Sequence, residues 1–478
     1  MTEIRQPWAY LAEAAADSPN APAFITSDQV ATYAQFADVA AKFAAVLRRR
    51  GVKPGDVIAL NLPGQLNMLM TWAVFHEAAI VCAYQPFLLE QDSISIPFVV
   101  SVRPITGVPA DRLILVDDDF LGEAGATNDV DEPISFGSDE AICRFTFTSG
   151  TTGRPKIIAQ TVRDASSKYT RSWSTWYTDG GLFSLFPAAD GPGWGVRFAF
   201  LQNRLPYVIP EDAAYNVGAI RHTKPRHLRG SARQLTLLAA ELESKSMHLA
   251  DVETVSVVGS QLPSKTAAAL RKWTGATRIS NSYSATECGI IAKRLDDSTE
   301  PSYMGEVVPT ATVEIVDPET HVALESGAVG AIRVRTPNLI DGYYRNAEAT
   351  AKAFRDGWFY PGDLGRLDDN KLYLHGRIDE LINSGGVKTD PAWVDDRVML
   401  IDGVVDCATF ALQDSGEFPV AATAIVLSRE FTDAELRAAV FGDLVEHTPQ
   451  HWFRVEVIPR TESGKPLRRE LSERFAGR

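Results

Sequence analysis

Hydrophobic positions near the start of the chain follow two periods that predict helices and strands in turn. Between residues 33 and 50, apolar side chains recur every three or four positions, as in an amphipathic helix. Thr32 and Gln35 form a capping box at its start. The apolar run Val57–Leu62 then predicts a buried strand, and residues 67–79 predict a second helix. This alternation favours an α/β architecture with partly parallel sheets.

The pattern becomes less regular further along. Residues 99–135 have no clear period and include the acidic run Asp117–Asp119, so they are interpreted as a solvated surface connection. The β-branched run Val252–Val258 predicts a strand, and Ser264 is the expected cap of the helix after it. Short alternating strands from residue 307 indicate a small β-rich subdomain, and a mixed pattern follows to the end of the chain. The predicted fold class is α/β, with a large N-terminal domain of mixed and parallel sheets flanked by helices and a small α+β C-terminal domain.

Composition narrows the functional classes. The chain has 478 residues, of which 45% are hydrophobic and 23% charged, as expected of a soluble globular protein with two or more domains. A net charge of -14 argues against nucleic acid or an anionic membrane as a partner. We find no apolar run of membrane-spanning length and no signal segment, so a cytoplasmic location is expected. The four widely spaced cysteines indicate reduced, buried thiols.

One polar loop stands out as a candidate for chemistry. It combines hydroxyl side chains, two glycines and a lysine between two apolar stretches. Its residues are Thr148, Ser149, Gly150, Thr151, Thr152, Gly153 and Lys156. Glycine lets backbone amides approach a ligand closely, and lysine adds positive charge, which together suit a polyphosphate. The loop lacks the Gly-Lys-Ser/Thr ending of a Walker A motif. A polar hairpin loop is the alternative.

Three further motifs follow in order along the chain. They are Tyr283 to Glu287; Trp358 to Gly365 with Gly376 to Asp379; and Pro459 to Arg469. Together with the polar loop they closely resemble the adenylate-forming (ANL) superfamily, which includes acyl- and aryl-CoA ligases, peptide-synthetase adenylation domains and luciferases. The resemblance covers nearly the whole chain.

The resemblance implies a reaction in two steps and a domain plan to match. A carboxylate attacks the α-phosphate of ATP to give an acyl-adenylate and pyrophosphate, and a nucleophile then displaces AMP. Residues 1–376 would form the large adenylation domain that binds ATP and the acid. Residues 377–379 would be the hinge, with Asp379 as its pivot, and residues 380–478 a mobile lid domain. ATP and Mg²⁺ are the implied cofactors, and CoA is a possible one.

The resemblance also assigns roles to single residues. Lys465 resembles the family's catalytic lysine, which bridges the substrate carboxylate and the α-phosphate, although a surface lysine in a basic tail is the alternative. Glu287 would hold Mg²⁺, and Thr286 would donate to the α-phosphate. Read alone, this Thr-Glu pair could simply begin a helix.

The nucleotide is expected to contact a second group of residues. Tyr283, with Ser282 and Ser284 beside it, would flank the adenine. Asp363 would accept from both ribose hydroxyls, since a carboxylate has two acceptor oxygens, or it could be a turn aspartate. Arg377 would reach the ribose or phosphate. Three more residues resemble the segment that lines the adenine and acyl pocket: Gly259, Ser260 and Gln261.

Two departures from the family pattern concern the acceptor. Asp190 stands where many CoA ligases carry a histidine or a bulky aromatic residue, although its Asp-Gly-Pro-Gly context is also ordinary turn chemistry. Facing the acceptor tunnel, Asp190 would disfavour a thiolate and favour an ammonium, whose proton it could take as general base. The segment 391–395 replaces a usual Pro-x-Glu-Val-Glu. Both departures resemble stand-alone amide bond synthetases of the marinacarboline type.

The predicted function is therefore activation of a carboxylic acid, aromatic or heteroaromatic, and transfer of its acyl group to an amine. Trp194, Phe198 and Phe200 lie near the expected pocket, although such residues are more often core. The alternatives are transfer to the thiol of CoA or of a separate carrier protein, a non-catalytic adenylate-binding homologue, and a luciferase-like oxygenase. The expected partners are thus small molecules.

Overall fold

The computed structural model describes residues 5–148, 155–166, 181–187, 191–259, 262–295, 302–413, 416–441, 447–460 and 466–476. The chain divides into two compact units. One comprises Met1–Arg229 and Ile340–Lys352, and the other comprises Gly230–Leu339 and Ala353–Arg478. The predicted hinge at residues 377–379 lies within the second unit, and the domain boundary there stays a prediction.

The first unit alternates helices and strands. Its helices α1 to α6 span Pro7–Asp17, Tyr33–Arg49, Gly64–His76, Asp118–Gly125, Gly191–Asn203 and Ala213–Thr223. Its strands β1 to β11 span Pro22–Ile25, Val30–Thr32, Val57–Asn61, Ile80–Ala83, Phe98–Ser101, Leu113–Leu115, Ile142–Thr148, Lys156–Thr161, Leu182–Ser184, Tyr207–Val208 and His227–Gly230. Two 3₁₀ helices cover Pro86–Leu89 and Ala110–Arg112.

A largely parallel sheet organises this unit. Its strand order is β6-β5-β3-β4-β7-β8, and only the β7–β8 pair is antiparallel. Helix α2 packs its apolar face into the adjoining core and begins with the predicted capping box of Thr32 and Gln35. The parallel strands predicted from the alternation of apolar runs and amphipathic helices are confirmed.

The interpretation of residues 99–135 as a surface connection was wrong. This stretch contains strand β6 and helix α4, and the acidic run begins that helix. The Asp117 side chain accepts a hydrogen bond from the Phe120 amide at 3.0 Å, and Phe120 is fully buried. Acidic side chains at a helix N-terminus complement its positive dipole end, so a charged run marked a helix start and not a loop.

The three aromatic residues near the expected pocket belong to the core. Trp194, Phe198 and Phe200 lie on α5 with at most 4% of their surface exposed. The Phe198 ring lies 5.2 Å from the rings of both Tyr10 and Trp72, in edge-to-face contacts. Packing therefore accounts for these side chains, and they do not indicate an aromatic acid.

The second unit is richer in antiparallel strands. Its strands β12 to β26 span Thr254–Val258, Arg278–Ala285, Gly289–Arg294, Tyr303–Val307, Thr312–Val316, Val329–Arg335, Phe354–Arg355, Trp358–Phe359, Asp363–Asp368, Lys371–Arg377, Ile382–Ser384, Val387–Thr389, Val404–Leu412, Val420–Leu427 and His451–Arg454. Its helices α7, α8, α10, α11 and α12 span Ala232–Ser244, Ser264–Trp273, Pro391–Val398, Asp433–Phe441 and Arg468–Phe475, and α9 (Ala347–Ala353) joins the two units in sequence. Ser264 begins α8 instead of capping it, because Pro263 takes the cap position.

Two sheets matter most for the candidate site. Within this unit, the strands of the larger sheet run in the order β18-β19-β17-β20-β21-β15-β14-β13-β12, with β16 paired to β17. The smaller, β24-β25-β26, forms the C-terminal part together with α10 to α12 and two apolar clusters. The predicted fold class, with its β-rich subdomain and α+β C-terminal part, is confirmed.

The predicted state of the cysteines is also confirmed. Cys82, Cys143, Cys288 and Cys407 are buried and free. Burial raises the pKa of Cys82 and of Cys143 to about 12, so both remain thiols at neutral pH. None of the helices in the described part of the chain combines the length and apolar character that a bilayer crossing requires.

Gly305 provides a test of the larger sheet. It has φ +103°, and a Cβ at this position would overlap the backbone carbon of Lys293 on the neighbouring strand. Gly327 has φ +84°, and a Cβ there would have no heavy atom within 4 Å, so it shares the backbone strain but not the overlap. We expect Gly305→Ala to lower the free energy of unfolding by about 3 kcal/mol or more, and Gly327→Ala by roughly 1 kcal/mol. Equal losses in urea unfolding would contradict this placement of β15 against β14.

Candidate functional site

The polar loop is framed by two strand ends in the first unit. Thr148 ends β7 and Lys156 begins β8, and the two residues are partners across the antiparallel pair. The Lys156 ammonium lies 4.7 Å from the centre of the Tyr343 ring, a cation–π contact. The structure thus brings together the two ends of the loop. Its remaining candidates, Ser149, Gly150, Thr151, Thr152 and Gly153, lie outside the described residues.

In the second unit, strand β13 carries much of the predicted nucleotide site. It extends to Ala285, so Ser282, Tyr283 and Ser284 lie on the strand itself. Strand β12 runs parallel to it, with Val258 opposite Ser282, and Gly259 follows β12 in the left-handed region at φ +92°. Ser260 and Gln261 lie outside the described residues. The end of β12 therefore lies beside the start of the Tyr283 motif, as expected of two segments that share a ligand.

Thr286 and Glu287 lie in the turn between β13 and β14. Thr286 is exposed, whereas Glu287 is 8% exposed. A carboxylate held in a tight turn, beside an exposed hydroxyl, is an oxygen donor set of the kind that Mg²⁺ takes together with substrate phosphates. These two residues thus fit the predicted metal and phosphate contacts.

The strongest polar arrangement centres on the carboxylate of Asp363. Asp363 begins β20, and its cross-strand partner on β21 is Arg377. The Tyr283 hydroxyl donates to Oδ2 of Asp363, and Arg377 Nη1 donates to Oδ1 at 3.3 Å. Burial of the phenol and the neighbouring carboxylate raise the pKa of Tyr283 well above its usual value, so it stays protonated and donates. Donors from two other strands, one of them 80 positions away in sequence, therefore meet at this carboxylate.

Arg377 links this carboxylate to the predicted hinge. Its Nε lies 3.0 Å from Oδ1 of Asp379 and 3.7 Å from Oε1 of Glu380. Nη1 also donates to the Pro361 carbonyl at 3.3 Å. The guanidinium thus contacts carboxylates on both sides of residue 378. Glu380 was not among the sequence candidates, and its position directly after Asp379 is the signal that could have identified it.

The segment that departs from the family pattern forms the start of α10. Asp395 accepts a hydrogen bond from the Thr409 amide at 2.6 Å and pairs with Arg468 Nη2 at 2.8 Å. Trp393 packs against Arg397, whose guanidinium carbon lies 4.3 Å from a ring centre of the indole. In this segment, Asp395 therefore forms an ion pair and Trp393 forms a cation–π contact. Asp395 and Arg468 are 73 positions apart in sequence, so no local sequence pattern predicts that they form a pair.

Two catalytic candidates, Asp190 and Lys465, lie outside the described residues. Of the others, the structure places Tyr283, Asp363, Arg377 and Asp379 in one cluster and Thr148 and Lys156 in the frame of the polar loop. Their roles toward a ligand stay predictions.

A comparison of the sequence with protein families shows which family the chain belongs to. The family described as "AMP-binding enzyme" matches residues 11–344. The chain belongs to the family of AMP-binding enzymes. This match confirms the resemblance to the adenylate-forming superfamily, whose typical chemistry is ATP-dependent adenylation of an acid.

Known members of this family resemble the chain over most of its length. The chain is 26% identical to 4-coumarate–CoA ligase 4 of Arabidopsis thaliana, over 93% of this chain and 86% of the relative. Its fold is similar to that of the anthranilate CoA ligase AuaEII solved with anthranoyl-AMP, with a TM-score of 0.84, 19% identity and coverage of 100% and 98%. A variant of the amide bond synthetase McbA from Marinactinospora thermotolerans gives a TM-score of 0.80, 21% identity and coverage of 98% and 99%. The fold of this AMP-binding enzyme is thus shared by ligases with different acceptors.

The Tyr283–Asp363 hydrogen bond can be tested without a ligand. A bond to a charged acceptor contributes about 1.5–3 kcal/mol, so Tyr283→Phe should lower the free energy of unfolding by an amount in that range. In an Asp363→Asn background the same change should have less effect, because the acceptor is then neutral. Tyr373→Phe is the matched control, since its ring packs against Arg366 and Tyr303 and stays in place. Equal effects of Tyr283→Phe in both backgrounds, measured by urea unfolding, would contradict the bond.

Proposed function

We propose that this AMP-binding enzyme activates a carboxylic acid with ATP and then transfers the acyl group to an amine. The observation that carries the first step is the Asp363 carboxylate, held by Tyr283 and Arg377. A carboxylate has two oxygens, and each oxygen can accept more than one hydrogen bond. The carboxylate can therefore accept both hydroxyls of a ribose while its orientation is fixed. This arrangement supports a nucleotide substrate.

The first step brings two anions together. The substrate carboxylate must approach the α-phosphate of ATP, and its attack forms an acyl–phosphate bond as pyrophosphate leaves. Lys465 would stabilise the developing charge between the two groups, and Thr286 would donate to the phosphate. Glu287 would hold Mg²⁺, which supplies positive charge to the phosphate oxygens when bound.

Asp190 favours an amine as the second substrate. A carboxylate about 4 Å from a unit charge contributes roughly 4 kcal/mol at an effective dielectric of 20. That interaction repels a thiolate, the reactive form of CoA, and attracts an ammonium. The ammonium gives one proton to Asp190, and the resulting amine attacks the acyl carbon. The bond to AMP then breaks, and the nitrogen releases a second proton to the departing phosphate or to water as the amide forms. This part of the proposal depends on the sequence and on the fold shared with McbA.

Transfer to the thiol of CoA is the second candidate. It is favoured by 4-coumarate–CoA ligase 4, which is named for that acceptor and matches 93% of the chain. Both candidates share the adenylation step, so they differ only in the nucleophile that displaces AMP.

The acceptor can be decided with one panel of reactions. 4-Coumarate, anthranilate and benzoate are each incubated with ATP, Mg²⁺ and either CoA or a primary amine, and products are identified by mass spectrometry. We expect an amide as the main product, and thioester without amide would contradict the proposal. Asp190→Asn should lower amide formation while leaving acid-dependent pyrophosphate release intact, because only the second step needs the carboxylate.

Lys465 is the most direct test of the adenylation step. Replacing one preorganised donor typically lowers the rate by about 10²–10³-fold, so Lys465→Ala should slow acid-dependent pyrophosphate release to that extent. Lys371→Ala is the control, because Lys371 is an exposed lysine at the start of β21. Undiminished release by Lys465→Ala would refute the assigned role. Absence of acid-dependent release from the unaltered protein across the panel would instead support a non-catalytic homologue.

A further inference from the structure

The residues on either side of the segment that contains Lys465 are neighbours in the structure. Residues 461–465 lie outside the described residues, whereas their flanks are described on both sides. Arg460 and Pro466 form an antiparallel bridge, and the Leu467 amide donates to the Pro459 carbonyl at 2.8 Å. The two ends of this segment therefore lie side by side on one support.

The first end is held by an arginine fork. Arg460 Nη2 donates to Oδ1 of Asp406, and Nε donates to Oδ2 at 3.2 Å. Nη2 also reaches the Cys407 carbonyl at 3.3 Å. Two parallel bonds between a guanidinium and a carboxylate fix orientation as well as distance. The Arg460 side chain is thus held in one orientation against strand β24.

The second end is held by another arginine, which contacts a carboxylate and a backbone carbonyl. Arg468 Nη2 pairs with Oδ2 of Asp395 at 2.8 Å, and Nη1 donates to the Thr409 carbonyl. Oδ1 of Asp395 accepts from the Thr409 amide at 2.6 Å, which fixes the carboxylate itself. The Arg468 side chain is 16% exposed and that of Asp395 14%, so solvent screens this pair less than a surface pair.

Both arginines, Arg460 and Arg468, contact the same strand, β24. Asp406, Cys407 and Thr409 lie on β24, which pairs with β25 along its length and is largely buried. By contrast, the partner of the neighbouring Arg469 among the described residues is the exposed Glu473, one turn along α12 at 2.8 Å. A reactive side chain must be positioned to within a fraction of an ångström, and ordered neighbouring residues provide that support. Two adjacent arginines of the same helix thus have different surroundings: Arg468 contacts β24, and Arg469 contacts its own helix.

We propose that Arg460 and Arg468 are positioning residues that fix the segment carrying Lys465 for the adenylation step. This inference rests on the proposed role of Lys465. The two arginines contribute through the geometry of that lysine, while Asp406 and Asp395 fix the arginines. Misplacement by about 1 Å can lower a rate by about 10²-fold, which is enough for such support to matter.

The experiment compares Arg460→Gln, Arg468→Gln and the control Arg469→Gln, using the panel acid with the fastest pyrophosphate release. We expect kcat for pyrophosphate release to fall by about 10- to 100-fold in the first two variants. KM for ATP should change little, and Arg469→Gln should match the unaltered protein. Asp395→Asn should behave as Arg468→Gln does, and Asp395→Glu, which keeps the charge, should recover part of the rate.

Combining each arginine variant with Lys465→Ala distinguishes an effect on the position of Lys465 from an effect on protein stability. If Arg468 acts through Lys465, adding Arg468→Gln to Lys465→Ala should lower the remaining rate no further. A loss of the same factor in both backgrounds would overturn the inference, because a role in stability alone lowers the folded fraction equally. Thermal unfolding of each variant gives that fraction. Should Arg468→Gln fail to fold, the more exposed Arg460–Asp406 pair decides the question in the same way.

Two failures have different meanings. Full pyrophosphate release by Lys465→Ala would overturn the proposed function itself. Impaired release by Lys465→Ala, together with normal rates for both arginine variants, would overturn only the positioning role.

Discussion

The carboxylate of Asp363 is the interaction on which the candidate site depends. It draws one donor from the strand before the β13–β14 turn and one from β21, so it fixes three strands of the larger sheet around a single anion. A desolvated carboxylate is unfavourable unless donors surround it, and Tyr283 and Arg377 supply them. Because Arg377 also contacts Asp379 and Glu380, its guanidinium connects this carboxylate with the predicted hinge and with the residue after it.

Sequence reasoning succeeded where the information was local. The period of α2 and its capping box predicted that helix closely, and contiguous motifs predicted the Tyr283 and Asp363 segments that meet in the structure. It failed at the run Asp117–Asp119, because acidic residues suit a helix N-terminus as well as a loop. The partnership of Asp395 with Arg468 was out of reach, since tertiary packing alone brings these positions together.

Acyl transfer to the acceptor and adenylation of the acid have the same physical requirement. In the proposed reaction, each step requires the protein to control charge near a reacting centre. Positive charge is needed where carboxylate and phosphate meet, and negative charge where an ammonium must lose its proton. The fold does not decide between amine and thiol, since both kinds of ligase share it. We therefore expect single side chains on the shared fold to determine the acceptor.

The most direct measurement of the central claim is calorimetric titration of AMP into the unaltered protein, Asp363→Asn and Asp368→Asn. Asp368 lies on the same strand with 56% of its side chain exposed and so controls for a carboxylate that should not contact the nucleotide. Loss of a charged acceptor for ribose should weaken AMP binding by about tenfold or more in Asp363→Asn, with Asp368→Asn unchanged. Equal AMP affinity in all three proteins would contradict the account.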